Sequence, residues 1–80
     1  MERKFSEEIF RYPAVNAEGR PCEILERVTW GREVQADGSL GEAQLVNRRF
    51  DLKTGERLNR LSDEEFEDDE TGALIRLRRG

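Results

Sequence analysis

The chain is predicted to be mainly β, and three observations predict it. Glycine-containing turn signals recur along the chain at 17–20, 36–41, 53–56 and 70–72, each where a hairpin would reverse. The segments between them alternate apolar and polar residues at the period of a half-buried strand. Eighty residues are enough for one domain and not for two. The expected architecture is a single small β-domain spanning 1–80, with residues 1–6 and 79–80 flexible. It is an antiparallel meander of four or five strands, twisted or curling into a small barrel, with room for one short helical turn near 62–66.

Taken in order, residues 8–15 place Phe10, Tyr12 and Ala14 on one face. Pro13 cannot donate a ladder hydrogen bond, so this strand is expected at an edge. Residues 22–34 place Cys22, Ile24, Val28 and Trp30 together, with Glu23, Arg27 and Thr29 opposite. Leu25 and Glu26 break that alternation, and a bulge there would reconcile them. Over 42–52, Val46, Phe50 and Leu52 share a face into which Arg48 intrudes. Residues 56–61 are short, with Leu58 and Leu61 three apart, and 73–78 puts Ala73, Ile75 and Leu77 on one side and Arg76 and Arg78 on the other. Two readings compete for 62–70. Ser62 followed by Glu65 is a capping box with acidic residues in its first turn, which favours a short helix. Phe66, however, is the lone apolar residue between Leu61 and Ala73, so a helix would have almost nothing to bury. A strand through Phe66 that turns at Asp68–Gly72 is the favoured alternative.

Composition sets limits on what such a domain can be. Apolar residues make up 35% of the chain and charged ones 40%, close to the border where burial no longer offsets ordering entropy. Interspersed charges leave a net of only −4, and the apolar residues are grouped in strand-length segments, so a folded domain with a thin core is expected. Self-association would help such a chain. A single cysteine, Cys22, precludes an intramolecular disulfide. No apolar stretch follows the charged start as in a secretory signal, and none approaches a membrane span. The expected setting is a reducing cytoplasm.

Histidine is absent, which removes the commonest general acid/base and the commonest metal ligand together. Cys22 has no partner for a Cys-x-x-Cys zinc site, and Glu23 and Glu26 beside it would raise its thiol pKa. The glycines do not fall in phosphate-cradling spacing. No enzymatic activity, cofactor or metal site is therefore expected. The run 63–70 carries seven carboxylates in eight residues but does not fit a calcium-loop pattern, and it reads as a solvated turn. Outside that run the charge balance is positive. Arg48, Arg49, Arg57 and Arg60 bracket the third hairpin while Arg76 and Arg78 lie near the end of the chain. If these strands neighbour one another, the six residues form a basic interaction stripe, with Tyr12, Trp30 or Phe50 as stacking faces. Pairing of these arginines with the many glutamates is the plainer alternative.

Residues 50–79 also resemble the C-terminal half of a family of small bacterial β-rich proteins of unassigned function. The resemblance rests on Phe50, the turn ending at Gly55, Leu58–Asn59 with Leu61, the acidic stretch around Phe66, Thr71–Gly72, and the final Leu77–Arg79. It implies a small β-rich fold and a bacterial cytoplasmic origin, and it transfers no active-site residue. The expected role is a non-catalytic accessory module that binds another protein through a charged hairpin or by strand addition. A single-stranded nucleic-acid binder using the arginine stripe is the alternative. A homodimer is compatible with both, and no membrane partner is expected.

Overall fold

The computed structural model describes residues 2–78. Six strands follow in order: β1 (Arg3–Val15), β2 (Pro21–Glu33), β3 (Gln44–Leu52), β4 (Arg57–Arg60), β5 (Glu65–Asp68) and β6 (Leu74–Leu77). Each pairs antiparallel with the next, and β6 returns to β1 through Ala14↔Leu77 and Val15↔Arg76, closing a barrel. The mainly antiparallel β expectation holds, with six strands in place of four or five.

The extra strand comes from the segment the sequence left ambiguous. Four reversals carry a glycine at positive φ, namely Gly19, Gly38, Gly55 and Gly72, the backbone conformation for which glycine is the default residue. The β4–β5 reversal at 61–64 has no glycine. There Leu61 N–H and Ser62 N–H both donate to Glu65 C=O, and Ser62 Oγ accepts from the N–H groups of Glu64 and Glu65. The capping serine is thus used, but to close a hairpin. The helical turn expected near 62–66 is absent, because Phe66 is drawn inward to 2% exposure and β5 pairs on both sides.

Inward positions of the barrel are Ala14, Ile24, Leu58, Phe66 and Ile75, with Tyr12, Cys22, Phe50, Leu52 and Leu77 packed around them. Phe50 and Phe66 pack tilted, with ring centroids 4.9 Å apart. In a barrel this small, side chains alone fill the interior. Leu61 is half exposed in its loop, and Ala73 lies exposed before β6 instead of joining Ile75 and Leu77 inside.

Strand lengths dictate the shape. β4, β5 and β6 have four residues each, whereas β1 and β2 have 13 and β3 has nine. At ~3.3 Å per residue, the short strands cover only about 13 Å of a β1–β2 ribbon about 43 Å long. The remainder projects as a three-stranded arm of β1, β2 and β3. The molecule accordingly measures 55 × 28 × 21 Å, with a radius of gyration of 16.2 Å, where a compact chain of this length would have roughly 12 Å. Arg3–Ser6, placed in the segment expected to be flexible, pair with Trp30–Glu33 in this arm. Met1, Arg79 and Gly80 lie outside the described residues.

Register in the arm corrects two further expectations. β1 and β2 pair without interruption from Arg3↔Glu33 to Val15↔Pro21, so no bulge sits at Leu25 and Glu26. The irregularity lies where β2 meets β3, between Thr29 and Trp30, and the extra residue is Val46. That extra residue turns Val46 away from the face of Phe50 and Leu52 and toward Gly31 and Phe5.

Candidate interaction surface

Where the arm leaves the barrel, the inward face changes from apolar to ionic. Glu26 occupies a core position opposite Phe10 and Phe50 and is 5% exposed. Burying a carboxylate is costly unless its oxygens are satisfied. Here Tyr12 Oη donates to Glu26 Oε1 at 2.7 Å, and Arg48 Nε donates to Oε2. The Arg48 guanidinium also lies over the Phe50 ring, 5.3 Å from its centroid. The Tyr12 phenol is pushed above its ordinary value, first by its hydrogen bond to Glu26 and then by burial. Arg60 completes this mouth and is held by Asp63 Oδ1 at 2.6 Å. These groups line a cleft of about 150 Å³.

The six arginines expected to form a stripe are divided between two surfaces. Arg48 and Arg60 stand at the inward mouth. Arg49, Arg57 and Arg76 alternate to the outside of the barrel, and Arg78 follows β6, its N–H donating to Pro13 C=O. Arg49 grips Asp51 through two hydrogen bonds of 3.0 and 3.2 Å, and Arg27 approaches the same carboxylate at 3.6 Å. Asp51 raises the Arg49 pKa further by accepting these bonds. Between Arg57 and Arg76, β5 presents Glu65 and Glu67 to the outside. The basic residues are therefore interleaved with acidic ones around the outer wall.

Cys22 is half buried among the residues packed on the core, and burial pushes its thiol pKa up. The direction agrees with the sequence expectation, although burial is the cause and not the neighbouring glutamates. Among the described residues, no group of three or more Cys, Asp or Glu side chains is placed to hold a metal ion. Among the same residues, no helix is long and apolar enough to cross a membrane.

The surface that sequence reasoning missed is the arm. On its outer face Phe5 is 60% exposed, Ile9 46% and Val46 47%; the inner face adds Phe10 and Leu45. Trp30, opposite Ser6 and Leu45, has a buried Nε1 with no acceptor among the described residues. Alternation gave the arm little signal, since Phe5 and Ile9 are four residues apart with Glu7 between them and lie on the face opposite Phe10 and Tyr12. The first strand was accordingly begun at residue 8. Comparison with family models, curated proteins and solved structures finds no match to this chain.

Proposed function

We propose that the protein is a non-catalytic protein-interaction module that engages its partner through the projecting arm. The observation that carries this reading is the concentration of Phe5, Ile9, Phe10, Leu45 and Val46, all at least 41% exposed, on one element that contributes little to the barrel core. In a chain so poor in apolar residues, leaving five large ones on a projecting ribbon forgoes burial that the fold itself could use. Phe5, Ile9 and Val46 give the outer face of the arm its exposed apolar surface, and Phe10 and Leu45 give the inner face its own. Exposed apolar surface rimmed by charge is the signature of a docking site, and aromatic side chains are its usual anchors. The non-catalytic part rests on the lack of histidine, the raised Cys22 thiol and the tying up of Glu26 by Tyr12 and Arg48. The free thiol suits a reducing cytoplasm. The interleaving of the outer arginines with Glu65, Glu67 and Asp51 supports the protein-interaction reading over the nucleic-acid alternative.

Affinity capture of the tagged full chain from its host's lysate, after nuclease treatment, tests the reading. The paired variant is Phe5→Ser/Ile9→Ser, whose side chains lie outside the core. A protein captured by the wild type and lost with the variant is expected. Equal capture by both, or material that disappears with nuclease, would overturn it.

A further inference from the structure

The arm has two free edges, and they are not equivalent. On β3 the bulge at Val46 interrupts the edge beyond Arg48, and bulges are one way in which proteins guard an edge. β1 has no such guard from Arg3 to Arg11, since its pairing with β6 begins only at Ala14. The direction of its backbone groups follows from two hydrogen bonds. Glu2 C=O accepts from Val34 on the β2 side, and Pro13 C=O accepts from Arg78 on the β6 side. In an antiparallel ladder these directions alternate by residue. Arg3, Phe5, Glu7, Ile9 and Arg11 therefore point their N–H and C=O groups away from β2, five successive rungs without a neighbouring strand among the described residues.

From this edge we infer that a second copy of the chain docks antiparallel along β1, making one continuous six-stranded sheet from two arms. The inference rests on the arm being the docking element and names its occupant. Charge order along the strand argues for a copy of itself: Arg3 and Lys4 precede Phe5 and Ser6, and Glu7 and Glu8 follow. Reversing such a strand against itself brings opposite charges together. With Ser6 opposite Ser6 of the second copy, Lys4 faces Glu8 on one face, twice by symmetry. Phe5 and Glu7 exchange backbone hydrogen bonds on the other. Phe5 then lies diagonal to Phe5 and Ile9 of the second copy, within reach of an aromatic ring. The two barrels point to opposite ends, so they do not collide. The contact is isologous and closes as a dimer.

Sedimentation velocity on the full chain from about 5 to about 500 μM, where mass action reveals association, reads the outcome. The wild type should form a concentration-dependent dimer. Lys4→Glu and Glu8→Lys should each weaken it by about tenfold through like-charge pairs, and the double variant Lys4→Glu/Glu8→Lys should restore it. Glu7→Pro should abolish the dimer while sparing the β1–β2 ladder, because the lost N–H points away from β2, the side on which Pro13 already lacks a donor. Circular dichroism of Glu7→Pro checks that the monomer folds. A monomeric wild type, or single variants that the swap does not rescue, would overturn the self-pairing. Lysate capture with Phe5→Ser/Ile9→Ser still judges the arm in that case. A dimer indifferent to both the edge and the Phe5/Ile9 variants would overturn both readings.

Discussion

Glu26 lies on an apolar face because Tyr12 and Arg48 satisfy both of its carboxylate oxygens. Removing the acid strands a phenol and a guanidinium at the barrel mouth. Glu26→Ala should therefore cost about 1–3 kcal/mol, more than the loss of an exposed pair. Urea melts would read this as a lower midpoint at unchanged slope. The same bond makes Tyr12 a pH reporter. Its phenol is held above the ordinary value near 10, first by donating to Glu26, then by burial and the Glu26 charge, with Arg48 opposing. A folded pKa above the unfolded one means that the native state keeps its proton longer. The stability from this bond is fully present below about pH 10 and is lost as pH rises through the raised value. Tyr12 is the sole tyrosine, so absorbance titration of its phenolate reads one group. The folded midpoint should lie above the midpoint in urea, and equal midpoints would count against the bond. Alternation marked Glu26 as out of place but gave no hint that Tyr12, opposite Ile24, and Arg48, opposite Val28, would reach it. Such pairings depend on register, which is fixed only once the turns are placed.

At the scale of elements, the reversals with a glycine were legible and the one without was not. Gly19, Gly38, Gly55 and Gly72 all take positive φ, and their positions bounded β2, β3, β6 and the end of β1 to within a few residues, though not the start of β1 at Arg3. The β4–β5 turn is closed by Ser62 and backbone bonds that side-chain patterns resemble only as a helix cap. The Val46 bulge was equally hidden, because two apolar faces can share a valine until the pairing is known. It makes a specific prediction at Gly31. A methyl group there would come within 2.8 Å of Val46 Cγ2 and 3.5 Å of Phe5 Cε1. Gly31→Ala should destabilise by about 1–3 kcal/mol through overpacking, and adding Val46→Ala should recover most of that loss. Thermal melts of the single and double variants check it, and a neutral Gly31→Ala would show that Val46 does not sit against β2.

For the molecule as a whole, the consequential feature is the mismatch between three long strands and three short ones. A period-two pattern reports that a strand exists and which face is inward, but not how many of its residues find neighbours on both sides. Most of the barrel core was therefore readable: Ala14, Ile24 and Ile75 lay on the expected apolar faces, and Phe66 did in the strand alternative, whereas the three-residue spacing of Leu58 and Leu61 did not say which of them faces inward. The arm was not readable, since Phe5 and Ile9 fall on the face opposite Phe10, Tyr12 and Ala14, and only the pairing shows what covers either face. What is left uncovered is the basis of the functional proposal, so the shape in solution is the claim to test. Small-angle X-ray scattering extrapolated to zero concentration, where any dimer has dissociated, measures it directly. The account predicts a radius of gyration near 16.2 Å and a longest dimension near 55 Å. A value near the roughly 12 Å of a compact 80-residue chain would contradict it, placing Phe5, Ile9 and Val46 against the barrel and leaving no arm to bind with.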